Sequence, residues 1–273
     1  PSSILYNGPF VLKSITAKSS IEMAKNDAYW DKDAVKIQNI KFTYWDGKDQ
    51  DVVAKGFSEG QYSKARIYPT SSTYEKYASE FKDNIFFNEP GSAIATVSVN
   101  YGRTTYNHTS KTTDSQKEST RKALLNKEFR QALNFAVDRN SYSAQTNGTD
   151  GAAVAIRNTF SPYDLQVGDK QFGKLVEESL AKTNSSTWSN VSLADSQNGL
   201  YNEEKAKAAF AKAKESLKAE GVEFPIHLDA LTIQESTAVV NRVQSLKQSI
   251  ENVLGADNVV IDLQQMTQAE ALP

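Results

Sequence analysis

The chain has 273 residues, 39% hydrophobic and 23% charged, with a formal net charge of −2 and no cysteine. That balance suits a globular protein with a sizeable core, and it excludes disulfides, thiolate nucleophiles and cysteine-held metals. It gives no global field to draw the chain to nucleic acid or an anionic membrane, and every apolar run is far too short to span a bilayer.

From the N-terminus, "PFVLKSI" and "SSIEMAKN" predict short antiparallel strands around the turn "TAK", and "DAVKIQNIKFTYW" predicts a longer one. Val35 and Ile37 fall on one of its faces, while Ile40, Phe42 and Tyr44 continue on the other parity. That switch predicts a bulge near Gln38 and Asn39. "NDAYWDKDA" is a polar aromatic turn, and "DGKDQ" breaks the pattern. "DVVAKGFSEGQYSKARI" predicts a helix, a turn and a short strand; "TYEKYASEF" predicts a helix. "IFFNEPG" and "AIATVSVNY" predict strands, the second with Ala95, Val97, Val99 and Tyr101 in alternation. Residues 103–120, "RTTYNHTSKTTDSQKEST", carry almost no apolar side chain and read as a mobile surface loop.

"LLNKEFRQALNFAVDRNS", residues 124–141, predicts one helix with Phe129, Leu133, Ala136 and Val137 on its apolar face. Asn126 stands before it and Glu128 in its first turn, a capped start. Arg130, Asn134 and Asp138 form a second, polar stripe, expected to pin neighbouring loops by charge-assisted hydrogen bonds. "TNGTDGAAVAIRNTFSP" reads as loop with one strand at most, and 171–200 lacks apolar periodicity outside "KLVEESLAK". "NEEKAKAAFAKAKESLKAEG" is the clearest helix: Asn202 caps it, Glu203 and Glu204 sit at its positive end, and Gly221 stops it. Its inward stripe is Ala206, Ala209, Phe210, Ala213 and Leu217. "FPIHLDAL" and "NVVIDLQQM" are strands on either side of a helix with Val239, Val243, Leu246, Ile250 and Val253 inward. This order makes the fold class α/β or mixed α+β.

Motifs for chemistry are missing: there is no G-x-S-x-G, P-loop, G-x-G-x-x-G or H-E-x-x-H. His108 and His227 read as a loop and a strand residue, and the pairs Asp31/Asp33 and Glu177/Glu178 as solvated turns and helix faces. Neither catalytic residues nor metal ligands nor a cofactor are expected. Aromatics are more informative. Tyr29, Trp30, Tyr44, Trp45, Tyr101, Tyr106, Tyr163 and Trp188 lie in polar settings, which suits a surface that grips a ligand without reacting with it.

The segment "YNGPFVLKSITAKSSIEMAKNDAYWDKDAVKIQNIKF" resembles G-P-F/Y-x-L, an extended pair, N-x-x-Y-W-D, then V-x-I/L-x-x-I-x-F. "RQALNFAVDR", "GLYNEEKAKAAFAKAK", "PIHL" and "LGADNVVIDLQQM" follow in an order similar to that of the family 5 solute-binding proteins, the peptide-binding components of ABC importers. The loop "NHTSKTTDSQKEST" is similar to that of the streptococcal Ami/Ali oligopeptide-binding lipoproteins. The resemblance covers residues 6–265 and implies a periplasmic-binding-protein-like fold of type II, here as a partial chain. Residues 1–45 would be the last strands of the first lobe, 46–262 the second, peptide-binding lobe, and 263–273 a tail or return crossover.

The implied function is extracytoplasmic capture of short peptides for ABC permease subunits, on a Gram-positive cell surface, with a lipid anchor whose cysteine these residues lack. A peptide sensor or surface interaction protein is the alternative, and a hydrolase a more remote one. No nucleic acid partner is implied, and self-association through an exposed cleft face is expected. Where the resemblance places the cleft, the contact residues would be Tyr44, Trp45 and Asp46 beside the hinge, Asn100 and Tyr101 at a strand end, and Arg157, Asn158, Phe160 and Tyr163 in the loop "RNTFSPYD". Arg157 would meet a peptide carboxylate.

Overall fold

The computed structural model of the protein describes residues 4–47, 49–86, 94, 96–234 and 236–271. Strands β1 (Phe10–Thr16), β2 (Ser20–Lys25) and β3 (Asn39–Thr43) form an antiparallel meander in the order β1-β2-β3. Pairing sets Ile15 opposite Ile21 and Ile21 opposite Phe42, with Leu12, Met23 and Ile40 in register further along. Alternation therefore gathers these six side chains on one face and Glu22 and Lys41 on the other.

The register irregularity lies in β1, between Leu12 and Ser14, not near Gln38. β3 is also shorter than its sequence suggests. Its partner β2 ends at Lys25, which bonds the Gln38 carbonyl, so residues before Asn39 have no ladder to join. Val35 and Ile37 follow a 3-10 turn at Lys32–Ala34 instead. Helix α1 (Asp51–Ser58) comes next, and residues 61–67 contain no strand.

The chain divides into two compact units, Pro1–Arg66 and Ile67–Pro273. In the second unit, α2 (Tyr74–Glu80) is followed by a segment, 96–101, that is not in a strand despite its alternation. The strand expected at 85–91 falls largely outside the described residues, and its described members Ile85 and Phe86 are in no strand.

Three helices then replace the loop and single helix expected here: α3 (Asp114–Leu125), α4 (Lys127–Ala136) and α5 (Arg139–Gly151). Caps cause the breaks. Thr113 and Gln116 form a capping box at α3, the Asn126 Oδ1 accepts the Phe129 N–H at 2.9 Å, and Asp138 accepts from Asn140 and Ser141. Helix α5 runs through "TNG", read above as loop. It kinks at Gly148, whose φ of +66° disfavours a side chain, and a Cβ there would lie 2.4 Å from the Pro69 ring.

A small hairpin, β4 (Gln166–Val167) and β5 (Lys170–Gln171), leads into α6 (Phe172–Thr183) and α7 (Ser185–Trp188). Then come α8 (Glu203–Ala219), β6 (Ile226–Ile233), α9 (Thr237–Leu254), β7 (Val259–Met266) and α10 (Gln268–Ala271). As read, Asn202 caps α8 by accepting the Lys205 N–H at 2.8 Å, and Gly221 takes φ +74° just beyond its end. Strands β6 and β7 are parallel, joined through α9. The core lies where α4, α8 and α9 meet these strands. Phe129, Phe135, Leu217, Ile226 and Val259 are fully buried, and the Phe129 and Phe210 rings stand 6.2 Å apart. Residues 263–266, assigned above to a tail, complete β7.

Candidate functional site

An open cavity of about 1400 Å³ occupies the second unit. Its walls come from residues 96–101, the loop 103–111, helices α3, α4, α5 and α9, residues 155–160 and strand β6. The floor is apolar, with Leu124, Leu133, Val137, Leu246 and Ile250, while Asn100, Asn134, Asn147 and Asn158 supply amides on the walls. Such a mixture can hold an extended chain by its backbone while tolerating varied side chains.

Asp229 organises one wall. It sits in the middle of β6 with its side chain only 2% exposed, and it takes an ion pair from Arg103 at 2.5 Å and from Lys111 at 2.8 Å. Thr109 Oγ1 and the Ser110 N–H add bonds of 2.7 and 3.1 Å. Burial pushes the Asp229 carboxyl up, but the bonds from Lys111, Thr109, Ser110 and Arg103 outweigh it and hold the pKa at about 2. Beside it, Asp262 accepts from Ser110 Oγ at 2.6 Å and meets His227 Nδ1 at 2.8 Å. The stretch 103–111 is therefore not a mobile loop: two strand carboxylates pin it, and Lys111 is 1% exposed.

The cavity lining is rich in cations. Arg103, Lys111, Arg157, Arg130, Arg139 and Arg242 all contribute, and Asp229 is the sole carboxylate among the lining residues. The polar stripe makes internal hydrogen bonds of the kind expected, although Arg130 and Asn134 also line the cavity. Arg130 donates to the Leu124 carbonyl at 2.6 Å, Asn134 Oδ1 accepts from Arg139 at 2.8 Å, and Asp138 caps α5. Burial lowers the pKa of Arg139. Arg242 lies over the Tyr142 ring, 5.9 Å from its centroid.

Of the residues proposed from sequence, Asn100, Tyr101, Arg157, Asn158 and Phe160 line this cavity. Phe160 is 80% exposed and Tyr101 is 52% exposed. Arg157 is engaged with Asp195, Nη1 to Oδ2 at 2.6 Å, so a carboxylate ligand would have to share it. Asn158 donates to the carbonyls of Ala194 and Gln197 at 2.9 and 2.8 Å. Tyr163 is not a lining residue. Its N–H bonds Asp195 at 3.0 Å and its ring covers Gly173 on α6. Tyr44, Trp45 and Asp46 belong to the first unit, where the Trp45 indole donates to the Asp49 carbonyl at 2.9 Å.

Arg103, Lys111 and Asp229 escaped the sequence reading. Asp229, an acid inside the apolar strand "PIHLDAL", was the available signal; Lys111 sits among polar neighbours and gives none.

A family model described as bacterial extracellular solute-binding proteins, family 5 middle, matches residues 1–271. The chain is 56% identical over 273 residues to the oligopeptide-binding protein AmiA of Streptococcus pneumoniae serotype 4, and 55% identical over 273 residues to the oligopeptide-binding protein SarA of Streptococcus gordonii. All of this chain is covered in both cases, but only 41% of each relative, so it spans about two fifths of their length. Among solved structures, peptide-bound OppA of Listeria monocytogenes matches 99% of this chain and 44% of its own, at 18% identity and a TM-score of 0.53. The substrate-binding protein CtaP of the same organism gives 97%, 42%, 18% and 0.54. These distant likenesses support the mixed α/β fold.

Proposed function

The chain belongs to the family 5 bacterial extracellular solute-binding proteins, and from that membership we propose that it takes part in capturing short oligopeptides for an ABC permease. One observation carries the reading: identity of 55–56% along the whole chain to proteins named as oligopeptide-binding. The cavity agrees with it, because backbone-seeking amides and arginines stand over an apolar floor. The mechanism is capture without chemistry. Asn100, Arg157 and Asn158 pair with peptide backbone or carboxylate, and Tyr101 and Phe160 flank side chains.

In this reading the three-stranded sheet is part of one lobe and the second unit is most of the other. Tyr44, Trp45 and Asp46, in the first unit, are contact candidates in the same reading. A peptide between lobes favours a closed form, which docks on the permease. The place of action is the outer surface of a Gram-positive cell, with a lipid anchor holding the protein there. Self-association through exposed apolar surface belongs to the same proposal.

Native mass spectrometry of the purified chain, followed by denaturation and sequencing of released material, tests the binding claim. Peptides released in stoichiometric amount are the expected outcome. A clean unliganded mass, unchanged after incubation with a mixed peptide library, would show that these residues do not bind peptides by themselves.

A further inference from the structure

The turn at 194–198 is built around the loop that carries Arg157 and Asn158. That loop leaves a 3-10 turn, Ala153–Ala155, in extended backbone at Ile156. The Ser196 N–H donates to the Ile156 carbonyl at 2.9 Å. Asp195 Oδ2 takes Arg157 Nη1 at 2.6 Å and the Tyr163 N–H at 3.0 Å. The Asn158 amide donates to the Ala194 and Gln197 carbonyls at 2.9 and 2.8 Å. Ser196, between those two carbonyls in the chain, adopts φ +61°, an uncommon backbone for a residue with a side chain.

Both ends of the turn are fixed to the rest of the second unit. The Leu193 N–H bonds the Glu177 carboxylate on α6 at 2.9 Å. Asn198 donates to Asp138 at 2.8 Å and accepts the Arg139 N–H at 3.1 Å. Leu193 and Leu200 are buried on either side. The turn is therefore a fixed mould, and side chains held by such a mould keep their aim.

Asp195 also sets the charge. The Arg157 and Asp195 side chains are 12% and 23% exposed, too enclosed for solvent to screen the pair as it screens a surface one. Arg157 thus enters the cavity wall with its charge balanced from within the protein. A peptide carbonyl can accept a hydrogen bond there without bringing charge. A peptide carboxylate brings its negative charge up to that of Asp195, which offsets what it gains from Arg157.

On the premise of peptide capture, we propose that Asp195 is the positioning and charge-matching residue of this site. It aims Arg157 and cancels its charge, so that the site selects a neutral peptide group over an acidic side chain. Peptides with a neutral residue at this subsite are the ligand class that follows.

Short, C-terminally amidated peptides carrying one Gln among alanines, and the matching set with Glu, test the proposal when titrated against the intact chain by calorimetry. The parent is expected to bind no Glu peptide more than about threefold tighter than its Gln match. Asp195→Asn takes the counter-charge from Arg157 and is expected to favour at least one Glu peptide over its Gln match by about tenfold or more. Arg157→Gln does the reverse, leaving Asp195 to repel the same Glu peptide and weakening it by about tenfold against its Gln match. Asp195→Glu keeps the charge and is expected to restore the parent ratio. Damage to the fold lowers both sets alike, so the Glu-to-Gln ratio isolates the charge effect, and Arg157→Gln carries the test should Asp195→Asn not fold. A parent chain that favours a Glu peptide by about tenfold would overturn the proposal, as would ratios that neither variant moves while both sets still bind. Should the parent bind neither set, peptide capture itself falls, and this proposal with it.

Discussion

Asp229 is the residue on which the cavity wall depends. It neutralises Lys111, which is 1% exposed, and Arg103. Asp229→Asn leaves Lys111 buried without its carboxylate, and we expect a loss of about 3–5 kcal/mol in urea unfolding at neutral pH. Trp188 in a W30F/W45F background confines the signal to the second unit. The carboxyl sits at about 2 in the fold against an ordinary 3.8. A depressed carboxyl stabilises above its unfolded pKa and loses that contribution as pH falls through its folded one. Stability worth on the order of 2 kcal/mol is therefore expected to vanish between about pH 4 and pH 2, and Asp229→Asn is expected to flatten that limb. An unchanged acid limb in the variant would assign the effect to other carboxylates. Gly173 is a second sensitive position: a Cβ there would stand 1.9 Å from the Tyr163 ring. Gly173→Ala is expected to cost about 1–3 kcal/mol by overpacking, measured by the same unfolding signal.

At the scale of elements, caps rather than propensity decide where helices begin. Asn126 was legible as a cap, yet the helix was read through Val137 to residue 141. What ends it is Asp138, which caps α5 and also accepts from Asn198 at 2.8 Å, a partner 60 residues away. Asn126 serves two elements, capping α4 and donating to Ser216 on α8 at 3.0 Å. Asn126→Ala is expected to lower stability by about 1–2 kcal/mol in thermal or urea melts, whereas Asn126→Asp, which keeps the cap, should recover most of it. The outer edge of β7 has its own device. Glu251 accepts the Ile261 N–H at 2.8 Å while Lys247 donates to the Ile261 carbonyl at 2.8 Å, so this side is blocked to a further strand there. Among the described residues, the β6 edge has no such side-chain pair.

For the whole molecule, exposed apolar area argues for company. Ile15, Ile21 and Phe42 line up across the first unit's sheet at 63%, 41% and 57% exposure. Monomeric chains seldom leave such a contiguous row in water. Sedimentation at rising concentration is expected to show reversible association, weakened by Ile15→Lys with Phe42→Lys. A monomer at every concentration would count against any role for this face in self-association.

The sequence by itself determined the family, the mixed α/β class, the clear helix at 203–219 and the strand–helix–strand run at 226–266, because those follow from local periodicity, caps and motif order. Where the family resemblance places the cleft, it also pointed to five residues that line the cavity, Asn100, Tyr101, Arg157, Asn158 and Phe160. Tertiary structure alone decided the rest. Whether 96–101 is a strand depends on a partner edge that alternation cannot name. Tyr163 left the site because a ring fills whatever space lies nearest, here over Gly173. Lys111 went inside because a carboxylate 118 residues away repays the desolvation of its charge, and no local pattern records a partner at that distance.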